Sequence, residues 1–171
     1  MREEPKSLPS LEYLRDHYNF SEEGVMTLRK KAGKYDNSRP VGSILGSPDK
    51  DGYLTLSILG ESYKVHRLVF YNEHGWCPDL VDHWDQDKSN NRPSNLRPAD
   101  SSQSCENRPK FKGKSSKKKG VSWHKRRQKY QVRIRVRGNL IHLGYADAED
   151  EAHARYCEAA LKYHGEYASF D

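Results

Sequence analysis

Apolar positions in this chain fall in short, closely punctuated runs, which predicts small elements around small cores. Leu11, Leu14 and Tyr18 recur at helical spacing behind Ser10, a residue suited to an N-cap, so 10–18 reads as a short helix. Residues 20–28 read as a hairpin turning at Glu23-Gly24, and 39–44 as a further short strand before a turn at 49–52. Residues 53–58 alternate, Gly60-Glu61 turns and 63–65 return, the pattern of a β-hairpin. Residues 66–74 then predict a short helix that Gly75 stops.

The C-terminal pattern predicts three strands, 120–124, 129–137 and 140–144, with the second turn at Gly138-Asn139. A helix follows, with Asp147 as N-cap, Glu149, Asp150 and Glu151 at the positive end of its dipole and Gly165 at its close. Its inner face is Ala148, Ala152, Tyr156, Ala159 and Tyr163. Strand parity sends Val132, Ile134 and Val136 toward that helix and Gln131, Arg133, Arg135 and Arg137 to the open side. With Ile141 and Leu143 inward, His142 joins the arginines; with Val121 and Trp123 inward, so do Ser122 and His124.

Charge sharpens this picture. Residues 1–107 carry 14 Lys/Arg against 17 Asp/Glu, 108–138 carry 14 and no acid, and 139–171 carry 2 against 7. A block of positive charge condenses counter-ions that a polyanion releases on binding, which points to nucleic acid as the partner. The segment 113–119, flanked by Lys110 and Lys112, is Lys/Ser/Gly-rich and reads as a flexible linker whose Lys117, Lys118 and Lys119 meet phosphate. The block then continues into the patterned sheet, which a merely solvated linker does not explain. The arginine fork pairs with guanine edges or phosphates, and a three-stranded sheet can lie in a major groove. An RNA module would display aromatics on that face instead.

Composition excludes several classes. Only 34% of the chain is apolar and the mean hydropathy is −1.07, so no membrane span is expected. The N-terminus shows no secretion-signal pattern, and Cys77, Cys105 and Cys157 are too scattered for a zinc knuckle or a disulfide framework. A reducing cytoplasm is the expected setting.

Chemistry concentrates between residues 63 and 108, in the run DHWDQDKSNNRPSNLR and the HRLV upstream of it. Phosphodiester hydrolysis needs a base for water and a hard cation for the leaving oxygen, and Asp82-His83 supplies a carboxylate and an imidazole on adjacent residues. Asn95 is placed to accept the second ring N–H of His83 and select its tautomer. His66 is expected to pack or cap its helix, Trp76 and Trp123 to be core, Asp85 and Asp87 to fix loop turns, and Cys105 to be a small helix residue.

Two resemblances follow. Residues 39–108, with HRLV, DH, NN and NLR, resemble the HNH homing endonucleases of phage type. That likeness implies a ββα-metal core: a strand ending at His83, a loop to Ser94, a strand through Asn95-Leu96-Arg97 and a helix from about Ser101. It implies His83 as general base, Asp82 as metal ligand and Asn95 as orienter. It also implies Mg²⁺ (or Mn²⁺) as cofactor, and a phage protein acting in a bacterial host cell. Residues 119–170, through GVSW, YQVRI, IHLG and the Ala-rich helix ending at His164-Gly165, resemble the Apetala/ethylene-response-factor (ERF) DNA-binding domain. That likeness implies base contacts from Ser122, His124, Arg126, Arg133, Arg135 and His142. Where the nuclease family has an Asn after the Gln as second metal ligand, this chain has Ser104 after Gln103. Ser104 can act through a water, or Asn107 can take the place.

The expected architecture is α+β: a ββα-metal HNH core preceded by β-hairpins, and a small three-stranded antiparallel sheet on one helix. The expected domains are 1–38 (helix and hairpin of the nuclease module), 39–109 (nuclease core), 110–119 (basic linker) and 120–171 (ERF-like DNA-binding domain). The expected function is site-selective, metal-dependent cleavage of double-stranded DNA, with no membrane or small-molecule partner. The alternative is a catalytically weak or inactive DNA-binding regulator derived from such a nuclease.

Overall fold

In the computed structural model, which describes residues 7–31, 39–109 and 115–170, the chain divides into two compact units, Met1–Ala99 and Asp100–Asp171. Both mix helices with small antiparallel sheets. The division lies upstream of the expected linker, and residues 110–114 of that linker, with Lys110 and Lys112, lie outside the described residues.

The first unit begins with α1 (Leu11–His17), whose N-cap Ser10 accepts a bond from the Tyr13 amide at 3.2 Å and whose Leu14 is fully buried. Strands β1 (Tyr18–Phe20) and β2 (Met26–Leu28) form the expected hairpin, and β3 (Ile44–Leu45) pairs with β2. The expected strand over 39–44 shrinks to that short β3. Pro40 lacks an amide for a ladder and Gly42 bends the chain at φ 88°. Next come β4 (Ser47–Pro48), β5 (Leu54–Ile58) and β6 (Glu61–Lys64), joined in one sheet. The β5–β6 turn is Leu59-Gly60, one residue before the expected Gly60-Glu61, with both residues at positive φ as a type I′ hairpin turn requires. Helix α2 (Val65–His74), stopped by Gly75 in the left-handed region, buries Val65, Leu68, Val69 and Phe70 in a core shared with Leu14, Met26 and Ile58. Trp76, expected in the core, is instead 52% exposed just past that stop, edge-on to Phe70. Strands β7 (Leu80–His83) and β8 (Leu96–Ala99) close the unit as a two-stranded ribbon.

The second unit opens with α3 (Ser101–Glu106), started by a reciprocal capping box between Asp100 and Gln103. Strands β9 (Val121–His124), β10 (Lys129–Val136) and β11 (Asn139–Ala146) form an antiparallel sheet in the order β11-β10-β9, packed on α4 (Glu149–His164). The core is Val121, Val132, Ile134 and Ala146 against Ala152, Tyr156, Ala159 and Ala160. Gly120 permits the closest approach, since a Cβ there would stand 1.9 Å from the Tyr156 ring.

Three details differ from the pattern. Asp147 pairs with Lys129 rather than capping α4, whose N-cap is Ala148. The residues buried on α4 are Ala152, Tyr156, Ala159, Ala160 and His164, while Ala148 and Tyr163 of the expected inner face are exposed, Tyr163 at 42%. The β10–β11 turn is Arg137-Gly138, with φ 46° and 83°, so Arg137 leaves the strand face. Its amide instead points to the Glu106 carboxylate at 3.5 Å.

Candidate functional site

The β7–β8 register sets Asp82 opposite Arg97 and His83 opposite Leu96. Facing residues share a side of the ribbon, and Asp82 Oδ2 accepts from Nε and Nη2 of Arg97, both at 3.0 Å. Both side chains are nearly buried, and the Arg97 guanidinium also lies over the exposed Trp84 ring at 4.7 Å. His83 turns to the other side and is 4% exposed.

There His83 meets polar neighbours. Its Nε2 stands 3.0 Å from Asn91 Oδ1. The His66 ring lies 5.0 Å away at 66°, and Tyr53 flanks both imidazoles at 5.2 and 6.0 Å. His66 does pack, as expected, but it packs against the candidate base. Burial above all, then the neighbouring His83, pushes the His66 pKa down to about 3, so it stays neutral. Asn91 Nδ2 and His66 Nδ1 are buried without a hydrogen-bond partner. Lys64 and Lys88 place their ammonium groups over the Tyr53 ring, at 4.7 and 4.6 Å.

Asn95 has a different task from the one expected. Its Nδ2 donates to Asp85 Oδ1 at 2.9 Å and to the Asn90 carbonyl at 2.8 Å, and its Oδ1 accepts from the Asp85 amide at 3.1 Å. Asn95 therefore braces the loop, and the amide that meets the histidine ring is that of Asn91. Asp85 and Asp87 fix turns of the same loop, as their spacing predicts. Burial opposes the Asp85 charge, but bonds from Asn90 and Asn95 outweigh it and hold its pKa below the usual range. From the far side, the β1–β2 turn presses on this loop: a Cβ at Gly24, φ 74°, would stand 2.1 Å from the Asn91 carbonyl.

Asp82 and His83 belong to the first unit, Ser104 and Asn107 to the second. Ser104 is half-buried on α3, Asn107 is buried at its C-cap, and Gln103 is committed to the capping box. Among the described residues no group of three or more His, Cys, Asp and Glu could hold a metal. No helix among them is long and apolar enough to cross a membrane.

In the second unit, Ser122 lies across from Gln131 and His124 from Lys129, on the side away from α4. Arg133 and Arg135 are exposed on that side, with His142 opposite Arg133. Arg126 is exposed in the β9–β10 turn. A bulge at Leu143, between the pairs Val132–Gly144 and Arg133–His142, restarts the alternation of β11 and brings Tyr145 opposite Gln131. The Tyr145 ring there meets His124 at 5.4 Å, His142 at 4.8 Å and the Arg127 guanidinium at 4.8 Å. Strand parity missed Tyr145 and Arg127; Gly144 inside the strand pattern was the available signal for the bulge. Two of the three linker lysines are engaged within the unit. Lys118 pairs with Asp150, and Lys119 donates to the carbonyls of Glu106 and Arg108 at 2.7 and 2.6 Å. Lys117 is exposed.

Residues 63–103 match the family model for HNH endonuclease. The chain is also similar to a solved structure titled "DNA binding and cleavage by the HNH homing endonuclease I-HmuI", at 29% identity over 54% of this chain and 51% of that one, with a TM-score of 0.37. The chain thus spans about half the length of that structure's chain. No curated protein matches significantly. The matched segment, residues 63–103, contains Asp82, His83, Asn91 and Asn95.

Proposed function

We propose that this protein is a site-selective, metal-dependent DNA endonuclease of the homing type, which hydrolyses phosphodiester bonds of double-stranded DNA as a nick or a double-strand break. The observation that carries the reading is the Asp82-His83 pair at the end of β7, inside the matched HNH segment, with the two side chains on opposite sides of the ribbon.

In this reading His83 is the general base and takes a proton from the attacking water. Asp82 supplies a hard carboxylate oxygen. A site with so few protein ligands suits Mg²⁺ (or Mn²⁺), which keeps several waters and takes further oxygens from a substrate phosphate. It does not suit a zinc cage of His and Cys. When bound, the cation takes up charge developing on the leaving oxygen. Lys88, near the Tyr53 ring, adds positive potential for the DNA backbone, while the charge of Lys64 is paired with Asp49.

The second unit chooses the site. Ser122, His124, Arg133, Arg135 and His142 form a face without acids, and Arg126 stands at its edge. The three strands on one helix agree with the ERF-like reading of residues 119–170, in which such a face reads bases. Lys117 remains for phosphate contact, and Lys118 and Lys119 would first have to exchange their partners.

A second reading, a weak or inactive DNA-binding regulator, draws on the near-complete burial of His83 and the pairing of Asp82 with Arg97. Incubating supercoiled plasmid with the protein and Mg²⁺ or Mn²⁺ separates the two. Relaxed or linear product that disappears with chelator supports the endonuclease. Binding without cleavage under both metals supports the regulator.

A further inference from the structure

We propose that Asn91 is the positioning residue for His83: it sets which ring nitrogen carries the proton, while His66 and Tyr53 hold the ring plane. This rests on the reading of His83 as the base. A neutral imidazole has one donor and one acceptor nitrogen, and the partner of one fixes the task of the other. Asn91 Oδ1, 3.0 Å from Nε2, can only accept. It therefore selects the tautomer with hydrogen on Nε2 and leaves Nδ1 as the basic nitrogen.

The surroundings make Asn91 rigid enough for this. Its side chain is 2% exposed, and its backbone is pressed by the β1–β2 turn at Gly24. An amide is also a costly choice for so buried a position, because its Nδ2 has no partner there. Packing alone would favour an apolar residue of similar size. The retained carbonyl oxygen is explained by what it does to His83. His66 adds a ring wall at 5.0 Å that carries no charge to compete with a protonated His83.

The test uses full-length protein. Nitrogen NMR of ¹⁵N-histidine-labelled protein, with the His83 signals assigned by their loss in His83→Ala, reports the tautomer directly. The proposal expects the proton on Nε2; a proton on Nδ1 overturns it, whether or not the protein cuts DNA. Asn91→Leu should lower kcat about tenfold to a hundredfold with KM nearly unchanged, the usual range for a lost orienting partner. Asn91→Asp, which keeps an accepting oxygen in place, should recover most of that loss. Wild-type kcat in Asn91→Leu, or no recovery in Asn91→Asp, overturns the proposal. If Asn91→Leu fails to fold, the wild-type tautomer decides alone. A protein that cuts nothing with any metal defeats the endonuclease reading while leaving the tautomer result to judge Asn91.

Discussion

Asp82 and Arg97 face each other across the β7–β8 ribbon, with two guanidinium nitrogens at 3.0 Å from one carboxylate oxygen. Removing one partner of a buried pair strands the other charge. Arg97→Ala should therefore cost about 3–5 kcal/mol of stability. A divalent cation binding at Asp82 would supply a replacement positive charge, so Mg²⁺ should raise the Tm of Arg97→Ala more than that of the wild type. Equal metal shifts in a thermal melt would separate Asp82 from the metal.

His83→Ala should cut DNA about 10²–10⁴ times more slowly, the usual contribution of a general base. Its affinity for DNA should hardly change, because the ring is 4% exposed and offers little contact to phosphate. Cleavage at the wild-type rate, followed on supercoiled plasmid, would remove His83 from the reaction.

His66 gives the first unit a pH signature. Its folded pKa of about 3 lies below its ordinary 6.5, so the unfolded chain binds this proton more readily. The stability linked to the neutral ring is complete above pH 6.5 and drains away as pH falls toward 3. His66→Phe should remove that component, giving a flatter fall of Tm between those limits than the wild type shows. Parallel curves from calorimetry would mean that His66 titrates normally.

Gly24→Ala should act at a distance in sequence. The added methyl overlaps the Asn91 carbonyl, and the backbone at φ 74° disfavours any side chain. Overpacking of this kind costs about 1–3 kcal/mol. Cleavage measured well below the melting point should still be slowed, because the loop that carries Asn91 must move. Full activity at low temperature would show that the loop absorbs the methyl harmlessly.

On the sheet, Arg133→Ala should cost about 1–3 kcal/mol of binding and relax preference at one base position. Lys117→Ala should weaken target and scrambled duplexes alike and reduce the salt slope by about 0.9. Binding titrations across salt concentrations decide between these roles. Equal losses on both duplexes for Arg133→Ala would mean that the face grips only the backbone.

The sequence patterns carried different amounts of this. Ser10, the Gly75 stop and the parity of Val132 and Ile134 were legible because each depends on local propensity or strict alternation. The histidine partner was not. Asn90, Asn91 and Asn95 have the same chemistry, and which one reaches the ring depends on how Asp85 and Asp87 fold the loop over its own backbone. Arg137 was misplaced by a one-residue difference in the turn, enough to take its side chain off the face. Lys118 and Lys119 looked free in a charge count, which does not show the carboxylate and carbonyls that the fold brings to them.

A strand has a reading frame of two, and the extra residue at Leu143 is a frameshift within it. Upstream, odd and even positions of β11 mean one thing; downstream they mean the opposite. Deleting Leu143 would restore a single frame and leave Tyr145 opposite Gln131 on the open side, whereas regular pairing with Leu143 retained would swing Tyr145 to the helix side. A homologous strand of the same length without the bulge would thus present a different set of side chains to its partner, even with every other letter unchanged.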